Sequence, residues 1–220
     1  MSTKLMPFVA ILASTAAATL FFFESQPHAE RNADQAAQTA GDDARRGHFQ
    51  TLNAAQVGKD EARRLYDDIR TSMKEGYAMS GDPVAAGYQD WDRYNDAPYL
   101  SETHGSRYIN NYANELAAGY GDGPDAAPLP PGAIVAKDAF AITEDGDLYA
   151  QSLFIMEKLE PGANPPTADW RYVMITPKGE IYGDTRGENP DKVSFCHGCH
   201  KAAEQTDHLY HVPEAYRIER

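Results

Sequence analysis

The 220 residues suit one domain, or one domain with an N-terminal extension. Hydrophobic residues at 42% and charged residues at 24% are ordinary for a folded chain with one core. A net charge of −13 excludes nucleic acid as a partner, and a total of two cysteines excludes a disulfide framework and an all-cysteine zinc site.

At the N-terminus, Lys4 precedes an uncharged, mostly apolar run at residues 6–23 that ends at Glu24 and Pro27. This matches an export signal. The run is nearly long enough to span a bilayer, and its cleavage signals, Pro27-His28-Ala29 and the alanines at 16–18, are weak. Residues 1–29 are therefore expected to be a signal peptide or an uncleaved N-terminal anchor, which would be the chain's contact with a membrane. The folded part then lies outside the cytoplasm, in the periplasm or another exported compartment. Residues 30–51 are polar and alanine-rich with almost nothing to bury, so they read as a flexible linker, and residues 52–220 as the folded domain.

Asn53, with Gln56 three residues later, is a good N-cap for a helix reaching Glu75, before Gly76. Val57, Leu65, Ile69 and Met73 recur at helical spacing, which predicts a surface helix packed by one stripe. Residues 80–100 read as an aromatic loop packed on something large. Over residues 101–118, Tyr108, Tyr112 and Leu116 suggest a second helix stopped by Gly119. Arg107 in this segment suits a propionate-type anion, a place in a cofactor's distal pocket, or an ion pair with a surface carboxylate.

After the proline-rich break at 122–131 the period becomes two. Residues 132–143 form the first predicted strand, with Ala133, Val135, Lys137, Ala139 and Ala141 on one face. Lys137 is the odd member of that face, and it reads either as an exposed edge-strand lysine or as a group beside a flat cofactor. Residues 144–147 supply hairpin-turn chemistry, and further strands are expected at 148–160, 169–176 and 180–184. Short connections between successive strands imply an antiparallel meander. The fold class is thus α+β: N-terminal helices, an antiparallel sheet, and a short C-terminal helix.

That last helix holds both cysteines, in Cys196-His197-Gly198-Cys199-His200. C-x-x-C-H is the spacing by which two thiols attach one haem along one edge while the next histidine reaches the iron. A thioredoxin-like pair would not need His200 and expects a strand-to-helix setting. A zinc site from both cysteines and two of His197, His200, His208 and His211 has plausible ligands but uses the motif less fully. Covalent haem c, one per chain, is the expectation, with Cys196 and Cys199 as attachment points and His200 as iron ligand. The acidic surface suits a basic redox partner protein, although solubility alone explains most such charge.

The motif does not stand alone. The runs at 132–137 and 152–158, Asp169-Trp170-Arg171-Tyr172, the terminal Phe195-Cys196-His197-Gly198-Cys199-His200, Asp207-His208-Leu209 and Val212-Pro213 together resemble the cytochrome P-460 family, in a superfamily that includes cytochrome c′-β. The resemblance covers residues 52–220. It implies haem against an antiparallel sheet, His200 as proximal ligand, an open iron face for nitric oxide, carbon monoxide or hydroxylamine, and a homodimer. It also implies that Lys137 is the position to test for a lysine–haem crosslink, the mark of hydroxylamine-oxidising members. Within that reading Glu157 or Asp138 would relay protons and Phe154 would form an apolar lid, while for both carboxylates a solvated side chain on a half-exposed strand is the plainer role. Met156 or Met174 as a sixth iron ligand is the alternative to an open face, with core packing as their simpler use. His208 and His211 would support a propionate or serve as packing and surface groups.

Overall fold

The computed structural model describes residues 54–219. The apolar run at 6–23, the linker at 30–51 and Asn53 lie outside them. Among the described residues no helix is long and apolar enough to cross a membrane.

Helix α1 spans Lys59–Ala78. It begins later than the Asn53 signal suggests because the preceding residues are already committed to the sheet. Ala55 N–H donates to the Ile142 carbonyl at 2.8 Å, and Val57 N–H donates to the Tyr108 hydroxyl at 2.7 Å. Its buried stripe is Ala62, Tyr66, Met73 and Tyr77, so tyrosines rather than Leu65 and Ile69 make the deepest contacts. Gly76 does not stop the helix. A Cβ there would collide with the Pro177 carbonyl, so the glycine is where α1 lies against the turn at residues 177–179.

The expected loop at 80–100 contains a short helix α2 (Pro83–Gly87), capped by the Asp82 carboxylate, and strands β1 (Asp92–Arg93) and β2 (Tyr99–Ser101). The expected helix over 101–118 is instead a 3-10 turn at Glu102–His104, strand β3 (Arg107–Ala113) and a longer 3-10 segment. The error has a physical source. Every residue of β3 is buried, so Tyr108 and Tyr112 at i and i+4 satisfy a two-residue period as well as a helical one.

The remaining strands are β4 (Ile134–Ile142), β5 (Leu148–Ala150), β6 (Leu153–Lys158), β7 (Trp170–Ile175) and β8 (Ile181–Asp184). All pair antiparallel, in the order β1-β3-β4-β6-β7-β8, with β2 on β3 and β5 on β4. The predicted strand at 148–160 is thus two strands, and the α+β architecture holds. The sheet separates two cores. On one face α1 and α2 cover Tyr108, Tyr112, Ala136, Phe140, Leu153 and Ile155. On the other, the C-terminal segment covers Val135, Ala139, Phe154, Met156, Trp170, Tyr172 and Met174.

Candidate functional site

The C-x-x-C-H motif lies on helix α3, Ser194–His200, against the second face of the sheet. Beyond it a 3-10 turn (Lys201–Thr206) leads into Asp207 and His208, both left-handed at φ +52° and +63°. Two consecutive non-glycine residues in that region are costly, about 1–3 kcal/mol each, and persist only where their surroundings hold them. Here the Trp170 indole N–H donates to the Asp207 carbonyl at 2.8 Å, Lys158 pairs with the Asp207 carboxylate at 2.6 Å, and His208 N–H donates to Ala203 at 2.8 Å. The product of this corner is one contact: the His208 carbonyl lies 2.7 Å from His200 Nδ1. A carbonyl only accepts, so Nδ1 carries the proton and the lone pair of the ring is on Nε2.

Tyr172 and Tyr210 stand edge-on to the His200 ring, with centroids 5.5 and 5.2 Å away. His200, Cys196 and Cys199 border one slot together with Val135, Lys137, Phe154, Met156, Tyr172 and Tyr210. The slot is thin, with about 570 Å³ of empty space counting the part open to solvent. Cys196 and Cys199 are not bonded to each other. Burial pushes the Cys196 thiol up to about 12, the opposite of an activated thioredoxin-type thiolate. Among the described residues no group of three or more His, Cys, Asp or Glu side chains is gathered as a metal-ion site, which leaves the zinc alternative without a ligand set.

Lys137 is not an edge-strand lysine. Strand β4 is paired on both sides, and Lys137 is 6% exposed with its side chain in the slot. Its hydrogen bond, to the Tyr210 carbonyl, is long at 3.5 Å. Burial pulls its ammonium down to about 8, with Cys199 opposing the shift. Phe154 and Met156 also line the slot, whereas Met174 is buried beside them without bordering it.

Other expected site residues are elsewhere. Asp138 is neither solvated nor in the slot, since the alternation of β4 turns it to the helix face, where it is fully buried. There it accepts from Tyr66 at 2.6 Å, Tyr88 at 2.9 Å and Asn110 at 3.1 Å. Burial raises its carboxyl above the usual range despite those donors. Glu157 pairs with Arg171 at 2.7 Å and is half-buried on the strand face away from the slot. Arg107 is 1% exposed on strand β3 and borders neither the slot nor the cavity next to it. Burial lowers its guanidinium to about 10, opposed by the Tyr77 phenol. His208 supplies a backbone carbonyl, and His211 stacks on Tyr120 at 5.1 Å.

Tyr172, His104 and Tyr210 are among the slot residues that escaped the sequence reading. Tyr172 was accessible in principle, because strand alternation places it with Trp170 and Met174 on the face that Lys137 marks. His104 was hidden by the mistaken helix, and Tyr210 lies in a segment without periodicity.

The residues fit a flat, iron-centred macrocycle. Two thiols and an imidazole with its lone pair on Nε2 border one thin, mostly apolar space, and the Tyr172 hydroxyl is buried there without a hydrogen-bond partner. A buried hydroxyl of that kind costs about 1–3 kcal/mol, which is unusual in a space meant to stay empty. No curated protein matches the chain. A family model described as Cytochrome P460 does match, over residues 85–211, which takes in every strand of the sheet, Lys137, the C-x-x-C-H helix and the His208 corner. That is more than half of the chain, and the resemblance first carried by scattered motifs becomes an assignment: the chain belongs to the cytochrome P460 family of haem-binding cytochromes.

Proposed function

We propose that this chain is an exported mono-haem c-type cytochrome that transfers electrons, binds small nitrogen oxides or diatomic gases, or does both. The observation that carries the reading is the 2.7 Å contact between His200 Nδ1 and the His208 carbonyl, because it fixes the tautomer in which Nε2 carries the lone pair that a metal ligand needs, beside two thiols. Cys196 and Cys199 would hold the haem: each Sγ–H adds across one vinyl double bond, sulfur to one carbon and hydrogen to the other, with no oxidant required. His200 would ligate iron from its Nε2. Bound haem supplies an iron that changes oxidation state and takes a small ligand on its remaining face. Tyr172 and Tyr210 keep the imidazole in plane, and Val135, Phe154 and Met156 keep water out. Export rests on the run at residues 6–23, and the homodimer and a redox partner protein belong to the same proposal.

The test is to produce the full chain with and without c-type haem maturation. The expected product gains the mass of one haem that survives denaturation, and Cys196→Ala with Cys199→Ala releases it. A chain whose haem is extracted by acidic solvent would overturn covalent attachment. Carbon monoxide binding by the reduced protein supports the open face, and its absence would favour Met156, which borders the slot.

A second reading is favoured by one observation, the buried amine of Lys137 in the slot. If that nitrogen is joined to the porphyrin, losing one N–H and one C–H as two electrons pass to an oxidant such as peroxide, the chain is a hydroxylamine-oxidising enzyme. A tryptic digest decides: the Lys137 peptide either travels with the haem peptide or does not.

A further inference from the structure

The slot is not the only space behind Lys137. A second cavity, with about 520 Å³ of empty space counting the part open to solvent, has Leu100, Ile109, Lys137, Tyr210, His211 and Pro213 among its borders. Lys137 and Tyr210 border both spaces, so the lysine stands on the partition between them.

Charge is distributed unevenly around this partition. The chain has 33 Asp and Glu residues, yet none of the described residues bordering either space is one of them. Lys137 is the sole lysine or arginine among those same residues. An ammonium has three N–H groups, and for them the described residues supply one long bond, to the Tyr210 carbonyl at 3.5 Å. The charge of Lys137 reaches both sides. Burial, and to a smaller extent Lys137, lowers the pKa of His211, which borders only the outer cavity, while Cys199 of the slot opposes the lowering that burial imposes on Lys137. His211 is no second cation, since that shift leaves it neutral at pH 7 and its Nδ1–H donates to the Tyr120 carbonyl at 3.1 Å.

A buried ammonium is costly unless an opposite charge or hydrogen bonds compensate it, and here the protein brings no carboxylate. We infer that the outer cavity is a binding site for a small, weakly hydrated, monovalent anion such as nitrate or nitrite, held by the Lys137 ammonium beside the slot. One ammonium matches one negative charge. Leu100, Ile109 and Pro213 offer an anion little in exchange for its water, so an anion that sheds water readily gains most, and fluoride, which holds its water tightly, gains least. The site uses the chain's own residues and does not depend on the haem reading. With a macrocycle in the slot, it would keep an anion next to the macrocycle without using the iron.

The experiment titrates the reduced, haem-loaded full chain with sodium nitrate and with sodium fluoride at pH 7 by calorimetry, with and without carbon monoxide. Wild type and Lys137→Met are compared. Wild type should bind one nitrate per chain, and Lys137→Met should raise the nitrate Kd at least about tenfold, the loss of one charged hydrogen bond. Fluoride should bind wild type at least about tenfold more weakly than nitrate, and carbon monoxide should move the nitrate Kd by less than about threefold. Absence of nitrate binding in wild type overturns the proposal, as does an equal nitrate Kd in Lys137→Met. Equal binding of fluoride and nitrate marks general charge screening and overturns it too. So does nitrate binding that carbon monoxide abolishes, which places the anion on the iron, or a Lys137 peptide that travels with the haem peptide, which removes the ammonium. If Lys137→Met does not fold, the fluoride and carbon monoxide comparisons in wild type decide. A chain that takes up no haem overturns the reading above, and the nitrate and fluoride titrations of that haem-free chain still decide this one.

Discussion

The two faces of the sheet treat buried polar groups in opposite ways. On the helix face, the Asp138 carboxylate is enclosed by Tyr66, Tyr88 and Asn110, and Tyr66 is bonded in turn to Tyr112 at 2.6 Å. On the slot face, the Tyr172 hydroxyl is buried with no partner, and Lys137 has one long bond to a carbonyl. Nearby, His197 Nδ1 and His208 Nδ1 are also buried without partners. A closed network of hydrogen bonds serves the fold by itself. Unsatisfied groups around a thin space serve something that is to occupy it, and their cost is accepted by the fold elsewhere.

Four substitutions sharpen that contrast, all by urea denaturation of the haem-free chain. The largest effect belongs to Asp138→Ala, which strands three donors and should cost about 3–5 kcal/mol. A loss under about 1 kcal/mol would mean that the helix-face network is incidental. Next comes Lys137→Met. Burial holds the folded ammonium down to about 8 against an ordinary value of 10.5, so between those pH values the unfolded chain binds more protons and wild-type stability rises with pH. The penalty is present below about pH 8 and gone above 10.5. Lys137→Met should therefore be the more stable protein at pH 7, by up to about 3 kcal/mol, with the gap closing through that window. A gap that does not depend on pH would place the amine in water. The smallest effect is Tyr172→Phe, which removes an unpartnered hydroxyl and should leave stability within about 1 kcal/mol, whereas Tyr66→Phe on the opposite face should cost about 1–3.

Much of this arrangement was legible in the sequence, and the parts that were not have definite causes. The C-x-x-C-H spacing is a covalent demand on consecutive positions, so it survives without knowledge of the fold. The strands from β4 to β8 were readable, with β5 and β6 run together, because short apolar and β-branched runs are bounded by turns marked by Gly, Pro and Asp. Strand β3 was misread because both its faces are buried, which removes the alternation that distinguishes a strand. That error concealed His104 and gave Arg107 a helical setting that it does not have. The position of Lys137 was read correctly from its strand face. Its burial was not, because whether a strand is central or at the edge depends on β3, the strand the periodicity missed.

Strand β4 carries Lys137 and Asp138 side by side, one to each face. Shifting its pairing by a single residue would exchange them, putting an ammonium among tyrosine hydroxyls and a carboxylate against Phe154 and Met156. Neither would find the partners that it has now, so the pair sets an energetic cost on a one-residue slip of the central strand. Sequence changes that preserve the hydrophobicity of β4 but neutralise both residues would remove that cost, and alternative pairings of β4 with β3 and β6 would then compete with the native one.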